Sequence, residues 1–354
     1  MIPLDQPEPI RAGEELDSSR LAPWLREHLR DAAGGVEIQQ FRKGHSNLTY
    51  LVRADGSEYV LRRPPFGNVV KTAHDMGREF RVLSALAPVF SPAPRPIVYC
   101  DDESVLGVPF YLMERRRGMV LRTTLPPGFT LTPALASGLC SCLVDTLIAL
   151  HSIDYRAVGL DTLGKPDGYV KRQVTGWAER YRAAATEAVP EMDQVVGWLL
   201  AHLPPESGVA VIHNDYKFDN IMLSAEDPTR VAAIFDWEMA TVGDPLMDVG
   251  TALSYWYDPT DPAEVRTWSM GPTMEPGMWS RRRVLEAYLE RTGRAMSGPE
   301  FYFAYGLFKL AVVVQQLHAR YVRGFTKDIR FADMNEKVVA LTRWAVHVAE
   351  SGTI

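Results

Sequence analysis

The sequence predicts an α+β chain in two lobes, a strand-rich N-terminal lobe and a larger, mainly helical C-terminal lobe. Three observations carry this expectation. At 354 residues the chain is long for one compact core. Short strand patterns crowd the stretch before Gly118, with one helix among them. Beyond Gly118 apolar residues recur at helical spacing almost to the end, so strands and helices are segregated rather than alternating. The boundary is expected near residue 115, with residues 1–115 forming the nucleotide-binding lobe and 116–354 the catalytic, acceptor-binding one.

The elements follow in order. Leu21, Trp24, Leu25 and Leu29 mark a helix over Leu21–Ala32. Strand patterns cover Val36–Arg42, Leu48–Ala54 and Tyr59–Arg63, and Asp55-Gly56 between the last two is a hairpin signal. Met76, Phe80, Leu83 and Leu86 place a helix over Thr72–Leu86, ending before Pro88. Strands near Ile97–Cys100 and over Pro109–Glu114 complete the first lobe. Helical patterns then span Pro133–His151, Gly168–Thr186 and Met192–Leu203. A strand-and-loop block fills Val209–Asp236, with apolar strands at Val209–Ile212 and Val231–Phe235. Helices dominate from Asp244, which is expected to cap the first of them, and include Phe301–Arg323.

Composition narrows the function. With 46% hydrophobic and 23% charged residues, large-scale disorder is not expected. A net charge of −6 without a long basic run argues against nucleic acid as a partner. Cys100, Cys140 and Cys142 form neither a disulfide framework nor a zinc pattern. The polar, acidic opening lacks a signal-peptide pattern, and no apolar run is expected to reach bilayer-spanning length. A cytoplasmic protein without a membrane partner, monomeric or homodimeric, is the expectation.

The chemistry concentrates in Val209–Asp248. One apolar strand delivers His213-Asn214-Asp215, Asn220 follows five residues after Asp215, and a second strand delivers Asp236. Phosphoryl transfer needs such groups: a carboxylate to orient and accept the proton of an attacking hydroxyl, and oxygen ligands for the Mg²⁺ that bridges the phosphates. Any one of these residues alone would pass for a turn former. The joint pattern His213-x-Asp215-x-Lys217-x-x-Asn220, with strands on both sides, matches a kinase catalytic loop.

On these residues the chain resembles the aminoglycoside phosphotransferase/choline kinase-type family, small-molecule kinases that share the bilobal protein-kinase fold. The resemblance implies ATP and Mg²⁺ as cofactors and a small-molecule hydroxyl acceptor. It makes Asp215 the base, Asn220 and Asp236 the magnesium ligands, His213 a brace for the loop, and Lys217 a cation reaching toward the γ-phosphate. Lys217 departs from the His common there in antibiotic kinases. Gly243-Asp244-Pro245 followed by Asp248 also fits the family.

In the first lobe, Lys43-Gly44-His45-Ser46-Asn47 stands where a kinase folds a loop over the phosphates, so Ser46, Asn47 and backbone N–H groups are candidate phosphate contacts. There is no G-x-G-x-x-G. Arg62 holds the place of the usual phosphate-pairing Lys, with Glu79 as its acidic partner, although Arg does not simply replace Lys. Phe110–Arg115 would be the hinge strand, with adenine near Met113, Glu114 and Arg115.

Several residues are expected to be structural. His151 would cap helix carbonyls, Tyr255, Trp256 and Tyr257 would be core or pocket wall, and the Arg115–Arg117 and Arg281–Arg283 runs would be solvated faces.

For the acceptor, Tyr255–Arg330 carries more bases than acids, Arg281 and Lys309 among them, which suits a partly apolar, anionic acceptor better than a polycationic aminoglycoside. Segments such as Val60-Leu61-Arg62, Asn214-Asp215-Tyr216-Lys217, Phe235-Asp236-Trp237-Glu238 and Ala319–Gly324 resemble a branch that includes kinase domains fused to acyl-CoA dehydrogenases. That likeness implies a hydroxyacyl-CoA or hydroxy-acid acceptor. An aminoglycoside or choline-type acceptor stays open. So does a nucleotide-binding pseudokinase without turnover, because of Arg62. A protein kinase is disfavoured, because Phe235-Asp236-Trp237 replaces Asp-Phe-Gly and no Ala-Pro-Glu follows.

Overall fold

The computed structural model describes residues 5–29, 34–42, 47–66 and 75–354. The chain forms two compact units. One comprises Met1–Val120 with Met222–Asp227 and Val231–Ala240, the other Leu121–Ile221 with Pro228–Arg230 and Thr241–Ile354.

The first unit opens with α1 (Ser18–His28), capped by the Asp17 carboxylate on the Ser19 N–H. Strands β1 (Val36–Phe41), β2 (Leu48–Ala54) and β3 (Ser57–Arg63) are sequential antiparallel neighbours. Asp55 and Gly56 both take positive φ between Ala54 and Ser57, as the hairpin signal requires. Next come α2 (Met76–Leu86), β4 (Pro96–Cys100), α3 (Glu103–Leu106) and β5 (Phe110–Glu114), giving the sheet order β1-β2-β3-β5-β4. Tyr50, Val52, Leu61, Phe110 and Leu112 on the sheet bury against Leu21 and Leu25 of α1. Of the expected elements, α1 begins and ends earlier than Leu21–Ala32, residues 30–33 lying outside the described residues. The start of Thr72–Leu86 and Lys43–Ser46 of the candidate phosphate loop also lie outside them.

The second unit begins with α4 (Pro133–His151), α5 (Tyr169–Ala184), α6 (Pro190–Ala201) and β6 (Ala210–Ile212). One expectation is overturned here: α4 is long and apolar enough, by length and composition, to cross a membrane. Its Ala, Ser, Thr and Cys residues dilute the aliphatic run without charging it, and Asp145 is its only acid. Leu139, Leu143, Leu147 and Leu150 on one face are buried within the unit.

After a single 3₁₀ turn at Phe218–Asn220, β7 (Ile221–Leu223) pairs with β8 (Val231–Ile234), returning the chain to the first unit. Then β9 (Thr241–Gly243) lies antiparallel to β6, and α7 (Pro245–Ser254) follows at once. The Asp244 carboxylate caps α7 through the Leu246 N–H (2.8 Å) and also takes the Ser207 N–H and hydroxyl (both 2.6 Å). Helices α8 (Ala263–Arg266), α9 (Arg281–Thr292), α10 (Pro299–Val322) and α11 (Met334–Ser351) complete the unit. Buried α10 is its spine, packed on α5, α7 and α11. Helices α7 and α10 touch backbone to backbone: a Cβ on Gly250 would stand 2.3 Å from the Tyr302 carbonyl, and one on Gly306 2.3 Å from the Gly250 carbonyl.

Candidate active site

In the second unit, β6 ends at His213-Asn214-Asp215, all buried. Asn214 holds a left-handed φ of 66°, a conformation that must be imposed by its surroundings. Asp248, in the first turn of α7, imposes it: its two carboxylate oxygens accept the His213 and Asn214 N–H groups at 2.7 Å each. From the other side, the Lys309 ammonium of α10 donates to the Asn214 carbonyl at 2.7 Å. Burial pushes Lys309 down to about 8.

His151 does not cap carbonyls. Its Nε2 lies 3.1 Å from Asp248 and its Nδ1 2.7 Å from the Tyr288 hydroxyl, because the last turn of α4 points this ring into the unit. Burial pushes the Asp248 carboxyl up, but the bond from His151 and the His213 backbone N–H hold it below the ordinary aspartate value. His213 in turn accepts the Asp215 N–H on Nδ1 at 3.2 Å. The loop is therefore fixed by groups on α4, α7 and α10.

The Asp215 carboxylate is the focus of this half. Its Oδ1 accepts the Tyr255 hydroxyl at 2.7 Å, and its Oδ2 accepts the Asn220 amide at 2.7 Å. The Lys217 ammonium sits 2.9 Å from Oδ1 and 2.8 Å from Oδ2. Burial pushes the carboxyl up, yet the charge of Lys217 and the bonds from Lys217 and Tyr255 win and hold it below the usual aspartate value. Asp215 is thus an anion at neutral pH. The Asn220 Nδ2 donates to both the Asp215 carbonyl (2.9 Å) and Oδ2, which fixes the amide orientation and leaves Oδ1 turned away as a neutral oxygen donor. Such a donor suits a hard cation such as Mg²⁺.

Tyr255 is the functional residue that sequence reasoning missed. It lies one residue past the end of α7, in a run of aromatics whose spacing does not single it out. Beside it opens an apolar cleft lined by Leu143, Val144 and Leu147 of α4, Val249, Ala252 and Leu253 of α7, and Phe218 and Trp256. Lys217 and Tyr255, which both bond Asp215, form part of its wall.

Two further expectations change in this unit. Arg281 is not a solvated residue: it is buried, donates to Asp261 at 2.5 Å and to the Trp256 carbonyl at 3.0 Å, and lies 4.2 Å from the Phe303 ring. The phase of α9 puts it on the same stripe as buried Leu285 and Tyr288, a signal available in the sequence. With Lys309 also internal, neither cation belongs to a basic surface.

In the first unit, Arg62 of β3 and Glu79 of α2 form a buried ion pair at 3.2 Å, and the same Arg62 nitrogen lies 3.1 Å from Asp236 Oδ1. Burial opposes the Arg62 charge, but Glu79, Tyr111 and Asp236 outweigh it and raise the guanidinium. At Glu79 burial prevails over Arg62 and the carboxyl is raised. The carboxylate still takes the Trp237 N–H at 3.2 Å. We regard the pair as ionised, because Arg62 keeps its proton across the accessible range. Asp236 has a left-handed φ of 65°, the second strained non-glycine residue at a candidate position.

Asn47 donates to Glu238 at 3.0 Å. A small cleft beside the ion pair is lined by Met113, Tyr111, Phe235 and Asp236. On the hinge, the Glu114 N–H is engaged by the Arg95 carbonyl (2.9 Å) and is not available to a base. The Arg115 guanidinium packs over the Phe41 ring at 4.7 Å and donates to the Asp5 carbonyl, so it is no solvated face either. Ser46 lies outside the described residues. Among the described residues no cluster of three or more His, Cys, Asp or Glu side chains forms a metal cage. Mg²⁺ in phosphate chemistry is commonly held by one or two protein oxygens plus phosphates, so the donors fit without one.

The model of the phosphotransferase enzyme family matches residues 37–285. A solved Ralstonia eutropha protein, provisionally described as an aminoglycoside phosphotransferase, is 32% identical, covers 95% of this chain and 99% of its own, and superposes with a TM-score of 0.79. A choline kinase from Cryptosporidium parvum, 12% identical with a TM-score of 0.59 over 93% of this chain and 99% of its own, shares the fold alone. Acyl-CoA dehydrogenase family member 11 from Rattus norvegicus is 35% identical over 88% of this chain, which spans only 40% of that relative's length. A five-stranded antiparallel sheet in the first unit, a helical second unit and these neighbours make the fold protein-kinase-like. The chain belongs to the phosphotransferase enzyme family, whose members transfer phosphate to hydroxyl groups.

Proposed function

We propose that this chain is an ATP- and Mg²⁺-dependent kinase for a hydroxylated acyl or hydroxy-acid acceptor, with Asp215 as the residue that receives the acceptor's hydroxyl. The observation that carries the reading is the Asp215 carboxylate, ionised although buried and aimed by Lys217, Asn220 and Tyr255. A carboxylate stabilised this way is a weak base, and phosphoryl transfer through a loose transition state asks for orientation more than basicity. Asp215 aligns the hydroxyl and takes its proton late. Lys217 exchanges its contact with Asp215 for the transferring phosphate. The oxygens of Asn220 and Asp236 are assigned to Mg²⁺, which when bound neutralises phosphate charge. Arg62, held by Glu79, is assigned to the nucleotide phosphates.

Two observations support an acyl acceptor. The cleft walled by Lys217 and Tyr255 is otherwise aliphatic and aromatic, a surface that gains by covering a hydrocarbon and offers nothing to a polycation. Relatives of which this chain spans only 40% and 30% are named as acyl-CoA dehydrogenase family members. ATP consumption with hydroxyacyl-CoAs, choline and kanamycin, compared between the wild type and Asp215→Ala, tests the reading. Turnover restricted to hydroxyacyl compounds and lost in the variant is expected; turnover of kanamycin alone would overturn the acceptor, and equal rates in the two proteins would overturn the role of Asp215.

A further inference from the structure

Lys337 on α11 is only 8% exposed, and among the described residues no carboxylate, carbonyl or hydroxyl takes a hydrogen bond from it. Its ammonium faces the Trp268 ring at 5.6 Å. The other buried cations of this unit are satisfied: Arg281 has Asp258 and Asp261, and Lys309 has the Asn214 carbonyl. A lysine this covered, whose ammonium meets an aromatic face and no acceptor among the described residues, carries a desolvation cost. Burial pushes Lys337 down to about 8, and the charge of Lys217 acts in the same direction.

The surroundings tie Lys337 to the catalytic loop. Trp268 begins a short segment that reaches Gly271, and a Cβ there would stand 2.5 Å from Phe218, the residue next to Lys217. Gly271 has a φ of 78°, so the close approach is built into the backbone. Lys337 is therefore linked to the Lys217 segment through Trp268, Gly271 and Phe218, and among the described residues no counter-charge pairs with it.

We propose that Lys337, backed by Trp268 and acting with Lys217, binds an acidic group of the acceptor, a carboxylate or phosphate carried near the reacting hydroxyl. The inference rests on reading the second unit as the acceptor-binding half. The anion supplies the missing counter-charge, so Lys337 selects acidic acceptors and orients them. It is a binding residue and takes no part in proton transfer.

The test uses the full chain saturated with ADP, so that nucleotide phosphate sites are filled, and needs no turnover. Melting is followed with added 3-hydroxybutyrate or its uncharged methyl ester, for the wild type and for Lys337→Met. Without either compound the variant should melt above the wild type, because an unpaired, largely covered charge has gone; this also shows that it folds. The acid should raise the melting temperature of the wild type and the ester should not. The variant should respond to neither, with affinity for the acid reduced about tenfold or more. A wild type that ignores the acid, or responds equally to the ester, overturns the proposal, as does a variant that responds like the wild type. A matching loss of ADP affinity in the variant assigns Lys337 to nucleotide phosphate and overturns it too. Because the readout is binding, failure of the kinase reading in the Asp215→Ala assay is a separate result.

Discussion

At Asp215 three side chains divide two oxygens, and they are not equivalent. Lys217 supplies charge, Asn220 supplies a bond from an amide already anchored on the backbone, and Tyr255 supplies a bond from a hydroxyl on a different element. Removing the Tyr255 hydroxyl takes away a charge-assisted bond, of a kind contributing about 1.5–3 kcal/mol, while leaving the ring on the apolar cleft. Tyr255→Phe should therefore lower kcat about tenfold or more with little change in the KM for ATP, as measured by steady-state kinetics. Arg62 poses a different problem, since one nitrogen faces both Glu79 and Asp236. Arg62→Met strands the Glu79 carboxylate in a buried site, and breaking such a pair costs about 3–5 kcal/mol. Urea denaturation should reveal that loss, together with weakened ATP binding.

At the scale of elements, the site depends on α7 more than on any other helix, since α7 supplies Asp248 and ends just before Tyr255. Its place is set by the Gly250–Gly306 crossing with α10, where the backbones leave no room for a methyl group. Gly250→Ala should shift α7 and cost more than about 1–3 kcal/mol, the usual range for overpacking, because backbone rather than a flexible side chain must yield. Loss of activity should accompany the fall in melting temperature.

The motif residues around Asp215 were legible because a turn between two short strands keeps chemical partners close in sequence. Asn220 reaches Asp215 across five positions. His151 and Asp248 were not paired in advance, being ninety-seven positions apart, and a histidine at a helix end carries no mark of which neighbour it meets. Arg281 differs from its neighbours Arg282 and Arg283 only in helical phase, which composition hides and the Leu285–Tyr288 stripe exposes. The strands, the hairpin and the long helices followed from periodicity and turn chemistry, whereas the sheet order β1-β2-β3-β5-β4 is set by tertiary pairing that periodicity does not carry. The bounds of α4 followed as well, but its bilayer-spanning apolar length did not, because small polar residues interrupt the aliphatic run without charging it.

For the whole molecule, the buried cations set the alkaline side of stability. Lys309 and Lys337 are both pushed down to about 8 by burial, from an ordinary value of 10.5 in the unfolded chain. Between those limits the unfolded state binds more protons than the native state, so stability rises with pH across that window. Each lysine contributes on the order of 3 kcal/mol to that rise. The buried tyrosines act oppositely: burial raises Tyr169, Tyr257, Tyr288 and Tyr302, so above about 10 the unfolded chain sheds phenolic protons first and stability falls. Stability without ligand should therefore climb from about pH 8 to a maximum approaching pH 10 and then decline. Urea melts across this range check the shape. Lys337→Met should remove about half of the rise by lifting its neutral end, since the methionine has no proton to lose; an unchanged slope would mean that Lys337 is paired and charged in the native state without any ligand.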